Sequence, residues 1–317
     1  DLDIMKISIV LPTIREQCFY TWAEKWKTLL DNSKVIVVED NPHRTFRVNL
    51  PIFEHYSWEE IDADLGDNSW IIPRRTSAIR SFGFYKAYQS GADIIVTLDD
   101  DCYPISNNFF KVHLKYLFED GYSSRWMQHS QSPRVRGFPL TIEKVEVVAN
   151  MGLWANIPDF DGETQRQLPD YRIKAQKFNF PIPFGYFAPI SSMNLAVKRK
   201  VVPSLYFLLM GPSHPYDRFD DIWAGIFLKK VCDHLGVYIS GGEPFIWHDK
   251  ASNVEDNIKK EAPGRIINEY LWKDIDKIQL KSKNFKDCYR ELADKFPPYD
   301  EYWRKQSRAM KIWANLF

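Results

Sequence analysis

An α/β fold built on a parallel, doubly wound sheet is predicted by three observations. Apolar strand-like runs alternate with helical stretches through the N-terminal third. Each run ends in polar residues, and the most apolar of them, Ile94-Ile95-Val96-Thr97-Leu98, closes on Asp99-Asp100-Asp101. Strand, helix, strand, helix, strand with polar strand ends is the grammar of crossover-connected parallel strands. The carboxyl end of such strands is where open α/β sheets bind their ligands.

Taken in order, Lys6 to Leu11 reads as a first buried strand, and Cys18 to Leu30 as a helix with Phe19, Trp22, Trp26, Leu29 and Leu30 on one face. Lys34 to Val38 is a second strand, closing on Glu39-Asp40. Ser57-x-x-Glu60 is a capping box for a short helix through Leu65. Ser77 to Gln89 is a further helix, stopped by Gly91, and the aspartate strand follows. From Phe138 to Pro215 the pattern breaks into short segments rich in Pro, Gly and aromatics, which predicts a substrate pocket made of loops. Asp221 to Leu235 reads as a long helix, and Phe245-Ile246-Trp247 as a short strand delivering His248. Beyond Ala251 the chain turns charged and helical, which predicts a nucleotide-binding catalytic domain over residues 1–250 and a helical C-terminal extension over 251–317 packed on it. Tyr299, Trp303, Met310, Trp313 and Phe317 fall on one stripe, read either as packing on the chain's own domain or as a homo-oligomer contact.

Composition narrows the function classes. With 317 residues and 44% hydrophobic content the chain can bury a full core. Its 42 basic residues balance 42 acidic ones, which excludes a general polyanion binder and makes nucleic acid an unexpected partner. Cys18, Cys102, Cys232 and Cys288 are widely spaced and form no C-x-x-C, predicting neither a zinc cage nor a disulfide framework. A cytoplasmic location is expected, with no signal segment and no transmembrane segment.

The aspartate run is the leading chemical feature. In an extended segment Asp99 and Asp101 share a face while Asp100 points away, a D-x-D arrangement suited to Mg²⁺ or Mn²⁺ shared with substrate phosphates. The bland alternative is a solvated acidic loop or a helix cap. Asp40, closing the second strand, can accept from a base or ribose, or can simply form the turn Glu39-Asp40-Asn41-Pro42. Arg75 and Arg80 are candidates to neutralise a diphosphate, or else surface arginines. His248 is a candidate further metal ligand, or a structural histidine. Arg134-Val135-Arg136-Gly137 places two arginines in a loop, and Asp220-Asp221 places a carboxylate pair at a helix start, where one of them is expected to cap.

Together these segments resemble the plant reversibly glycosylated polypeptides, also known as UDP-arabinopyranose mutases, over nearly the whole chain. The match runs through Leu11-Pro12-Thr13-Ile14-Arg15, Val38-Glu39-Asp40, Arg80-Ser81-Phe82-Gly83, Asp99-Asp100-Asp101-Cys102 and Val135-Arg136-Gly137-Phe138-Pro139. It continues through Gly152 to Asp159, Met193-Asn194-Leu195-Ala196, Arg218 to Gly225, Cys232 to Gly236 and His248 to Asn253. The resemblance implies a GT-A-like, Rossmann-like nucleotide-sugar fold, a UDP-sugar substrate and Mn²⁺ or Mg²⁺ as cofactor. Asp99, Asp101 and His248 are then expected at the metal, and Thr13, Arg15, Asp40, Arg75, Arg80, Asp99 and Asp100 around the nucleotide. It also nominates Arg136 as a glycosyl acceptor. A guanidinium is a poor nucleophile, so Asp220 or Asp221 is expected to assist, or the anomeric carbon must already be close to an oxocarbenium ion. Where the family has Cys-Gly before Met-Asn this chain has Ser191-Ser192, and Arg75-Thr76 and Asn41-Pro42 also depart from the pattern. The activities left open are pyranose–furanose interconversion, self-glycosylation alone, and nucleotide-sugar binding without turnover.

Overall fold

The computed structural model describes residues 5–30, 33–48, 52–118, 122–123, 125–126, 135–250 and 252–317. One mixed sheet organises the described residues. Its first four strands are parallel neighbours in the order β3 (Phe53–Tyr56), β2 (Ser33–Glu39), β1 (Ile7–Thr13), β4 (Ile94–Leu98). Next comes β8 (Asn194–Lys198), antiparallel to β4, then β6 (Val147–Asn156), antiparallel to β8. β9 (Tyr238–His248) runs parallel to β6, and its edges take β5 (Cys102–Pro104) and β7 (Asn179–Pro181). The expected α/β, GT-A-like architecture is therefore present as a Rossmann-like parallel half extended by antiparallel strands.

Side-chain alternation sorts the two cores. β1 sends Ile9 and Leu11 to one face, where Phe19, Trp22 and Trp26 of α1 (Glu16–Trp26) and Phe109 of α4 (Phe109–Phe118) cover them. Val10 goes to the other face, under Phe82 of α3 (Arg80–Gln89) and the larger cluster that includes α6 (Asp220–Leu235). The capping box at Ser57 forms as read and opens α2 (Trp58–Leu65).

Two expectations are corrected. The stretch from Phe138 to Pro215 was read as loops, yet it contributes β6 and β8, two central strands, besides the short edge strand β7 and the one-and-a-half-turn α5 (Gly162–Gln167). Gly152 sits inside β6 where a Cβ would collide with the Asn194 side chain and the Pro244 carbonyl, so a glycine that looks like a breaker is there for close strand packing. The short strand before His248 is the end of an eleven-residue strand.

Beyond residue 250 the chain forms α7 (Val254–Asn268), α8 (Leu271–Asp276), α9 (Phe285–Lys295) and α10 (Glu301–Asn315). The expected boundary residue Ala251 lies outside the described residues. The aromatic stripe of α10 is spent within the chain: Trp303 and Trp313 are fully buried, and Trp303 packs 5.4 Å from the ring of Trp223 on α6. The stripe that raised an oligomer contact is thus occupied by the chain's own core. No helix among the described residues is long and apolar enough to cross a membrane.

Candidate active site

Strand direction assembles the site. The carboxyl ends of β2, β1 and β4 share one edge of the sheet, and because β8 is antiparallel its amino end joins them. β6 and β9 again point their carboxyl ends to that edge. Asp40, Thr13, Asp99, Met193, Asp159 and His248 therefore follow one another along a single cleft of about 610 Å³. That volume lies in the range of small-molecule sites. From β2 to β6 the edge spans four strand spacings, roughly 19 Å, long enough for an extended nucleoside-diphosphate sugar.

The three aspartates face different partners, although Arg15, bonded to Asp100, also lies 3.9 Å from Asp101. β4 ends at Leu98, and the chain then turns, with the Cys102 N–H donating to the Asp99 carbonyl at 3.1 Å. Alternation along an extended strand does not apply in a turn. Asp100, expected to point away, faces β1: Thr13 Oγ1 donates to it at 2.6 Å and the Arg15 guanidinium forks onto both of its oxygens. Burial raises its pKa, and Arg15 pulls the other way. Asp99 accepts from Arg80 Nη2 at 2.6 Å. Asp101 Oδ1 lies 3.9 Å from His248 Nε2.

His248 is oriented by a backbone carbonyl. Its Nδ1 is 2.8 Å from the Ile157 carbonyl, which can only accept, so Nδ1 donates there and Nε2 is the nitrogen turned towards Asp101. An imidazole nitrogen beside a hard carboxylate oxygen is a donor pair that fits Mn²⁺ or Mg²⁺ completed by phosphate and water oxygens. Among the described residues no group of three His, Cys, Asp or Glu side chains is placed to hold a metal.

The remaining expected residues divide. Arg75 is exposed at the rim with a left-handed backbone (φ 59°), and Arg80 is buried in the floor, bonded also to Thr97 Oγ1 at 2.9 Å and the Ser192 carbonyl at 3.1 Å. Asp40 accepts from Trp58 Nε1 and the Thr76 N–H, each at 2.8 Å, and thereby holds the loop that carries Arg75. Asp220 and Asp221 are not among the residues lining the cleft. Asp220 accepts from Ser77 Oγ at 2.6 Å, and Asp221 from the Ser192 N–H and Oγ at 2.8 Å each. Burial raises both carboxyls, and Asp220 is raised further by Asp221. Arg136 is exposed on a turn beside Gly137 (φ 96°), outside the cleft lining, and Arg134 lies outside the described residues.

Asp159, Gln165, Asp217 and Lys260 also line the cleft and were not read as site residues. Lys260 and Ser252 come from beyond residue 250, so the helical segment supplies part of the wall. Glu261 of α7 fastens it, accepting from the Gly162 N–H at 2.8 Å and from Arg218 Nε at 3.0 Å.

With this geometry in hand, the comparisons with known proteins are decisive on kinship. The profile of the family described as "Reversibly glycosylated polypeptide" matches residues 3–115 and 126–317. The chain belongs to that family. It is 33% identical over 334 residues to UDP-arabinopyranose mutase 1 of Arabidopsis thaliana, a match covering 98% of this chain and 92% of that protein. UDP-arabinopyranose mutase 1 of Oryza sativa subsp. japonica is 32% identical over 334 residues, covering 98% and 90%. Among solved structures, glucosyl-3-phosphoglycerate synthase from Mycobacterium tuberculosis with Mn²⁺, UDP and phosphoglyceric acid aligns with TM-score 0.49 and 15% identity over 88% of this chain and 81% of that one. A mannosyltransferase from Pyrobaculum calidifontis with GDP-Man and Mn²⁺ aligns with TM-score 0.43 and 10% identity over 98% and 72%. The fold assignment rests on the strand order itself rather than on these distant alignments.

Proposed function

We propose that this chain is a UDP-sugar mutase that interconverts the pyranose and furanose forms of UDP-arabinose in the cleft at the carboxyl edge of the sheet. The observation that carries the reading is its kinship, along nearly its full length, with plant proteins named UDP-arabinopyranose mutases. The cleft supports it. Asp40 and the Thr76 loop stand at the nucleoside end, Arg75 offers an exposed guanidinium for the diphosphate, and Asp101 with His248 would hold a divalent cation beside it. Asp99 is the third proposed metal residue, its charge balanced by Arg80 until a cation arrives. A bound Mn²⁺ or Mg²⁺ supplies positive charge to the leaving diphosphate. Thr13 and Arg15 act through Asp100, pinning the aspartate turn to the end of β1. A cytoplasmic location, read from the cysteine spacing, belongs to the same proposal.

Incubating the protein with UDP-arabinopyranose and Mn²⁺ and resolving the nucleotide sugars by anion-exchange chromatography is expected to yield UDP-arabinofuranose. Unchanged substrate in the presence of tight, metal-dependent binding would assign the chain to nucleotide-sugar binding without turnover.

The resemblance further nominates Arg136 as an acceptor of the sugar. Gly137 leaves its turn open to close approach, while Asp220 and Asp221 are sequestered by serines, so the electrophilic route through an activated anomeric carbon is the one proposed. Intact-mass spectrometry after incubation with UDP-sugar is expected to show a pentose or hexose gain that Arg136→Ala abolishes and Arg134→Ala retains. A sugar mapped to another residue would remove Arg136 from the mechanism.

A further inference from the structure

Ring interconversion, the reaction on which this inference rests, has a fixed proton requirement. A C1–O5 bond is exchanged for a C1–O4 bond, one proton passes from O4 to O5, and no electrons enter or leave. The diphosphate is on C1 at the start and at the end. A group able to take a proton from one ring hydroxyl and return it to the other is therefore required near the sugar.

The cleft contains six carboxylates among its described lining residues: Asp40, Asp99, Asp100, Asp101, Asp159 and Asp217. Asp40 has both oxygens bonded, Asp99 and Asp100 are ion-paired to Arg80 and Arg15, and Asp101 faces His248 and Arg15, each at 3.9 Å. Asp217 accepts from the Arg218 N–H at 2.9 Å and lies 3.7 Å from Lys260 Nζ. Asp159 stands apart: it is half-buried, one of its oxygens, Oδ2, accepts from Ser191 Oγ at 2.8 Å, and among the described residues no Arg or Lys forms an ion pair with it. It follows the carboxyl end of β6, the strand next to β9, and so lies at the same end of the cleft as Asp101 and His248, beside the proposed diphosphate position.

We propose that Asp159 is the proton shuttle of ring interconversion, held in place by Ser191. Its carboxylate takes the proton of the attacking hydroxyl and delivers it to the departing ring oxygen, ending as it began. The surroundings support a role in both directions. Burial first, and then the neighbouring Asp221, raise its pKa, while Ser191, His248 and Arg218 favour the ionised form. A carboxyl raised in this way holds a proton at higher pH than a free one while its polar neighbours still let it ionise. Ser191 is one of the positions where this chain departs from the family pattern.

The test uses the whole chain with UDP-arabinopyranose and Mn²⁺, following ring interconversion by chromatography and UDP affinity by calorimetry. Asp159→Asn is expected to lower turnover by about 10²-fold or more with UDP affinity essentially retained. Wild-type turnover in Asp159→Asn overturns the inference, and so does a parallel loss of UDP affinity, which would make Asp159 a binding residue. Ser191→Ala is the second variant. Without its hydrogen bond the ionised carboxyl is less favoured, so the acid limb of the pH–kcat profile is expected to move to higher pH. An unmoved profile removes Ser191 as the positioning residue. A wild-type chain inert on every UDP-pentose overturns the functional reading itself, and the wild-type control separates that result from the others.

Discussion

Asp101→Asn is expected to lower turnover of UDP-arabinopyranose by more than the 10–100-fold that loss of an outer-shell partner costs a metal site. The amide is nearly isosteric but brings no charge. A site built from Asp99, Asp101 and His248, with the rest supplied by diphosphate and water, depends on few protein charges. His248→Ala should act in the same direction, with folding checked by melting temperature because the His248 side chain is buried and bonded to Ile157. Titrating Mn²⁺ against turnover separates the two possible causes. A metal residue raises the Mn²⁺ needed for half-maximal rate, whereas a purely structural defect lowers the rate at every Mn²⁺ concentration. Full activity of the wild-type protein in excess chelator would contradict the metal reading altogether.

Trp303→Ala is expected to destabilise the whole molecule by about 3–5 kcal/mol and to lower its melting temperature by roughly 10 °C. Trp303 is fully buried, and its ring packs against Tyr216, Trp223, Phe296, Tyr299 and Tyr302. Those neighbours come from both sides of residue 250, so truncation opens a cavity between the sheet-bearing part and the helical extension. We propose that residues 1–250 and 251–317 melt together, the extension being part of the same cooperative unit. Differential scanning calorimetry of the variant should show one transition shifted down. A separate early transition, with the rest unfolding at the wild-type temperature, would show that the C-terminal helices fold on their own.

Much of this architecture was legible in the sequence where a single physical signal dominates. Buried parallel strands read as continuous apolar runs, which is why β1, β2 and β4 were found within a residue or two, and the Ser57–Glu60 capping box is local chemistry that needs no tertiary context. β6 and β8 were missed because their sequences carry polar side chains that face inwards. Asn150 and Asn194 are fully buried and joined through His113, whose pKa burial pushes down to about 3. A hydrophobic pattern cannot announce a strand whose interior face is a hydrogen-bonded network. Asp159 closes the matching segment from Gly152 but was not read as a site residue, because nothing in its local sequence marks it as lining the cleft. Asp99 and Asp101 were visible as charge at a strand end, but their partners were not. The turn after Leu98, invisible to a two-residue period, sends Asp100 to Arg15 and Asp99 to Arg80.

The most direct measurement of the central claim is a crystal structure of the protein soaked with UDP and Mn²⁺, with the metal located by anomalous scattering. The uridine is expected at the Asp40 and Thr76 end, and the anomalous peak beside Asp101 and His248, with the diphosphate between that pair and Arg75. UDP and Mn²⁺ found elsewhere, such as the basic surface cleft formed by Lys200, Lys283, Lys286 and Arg290, would contradict the account.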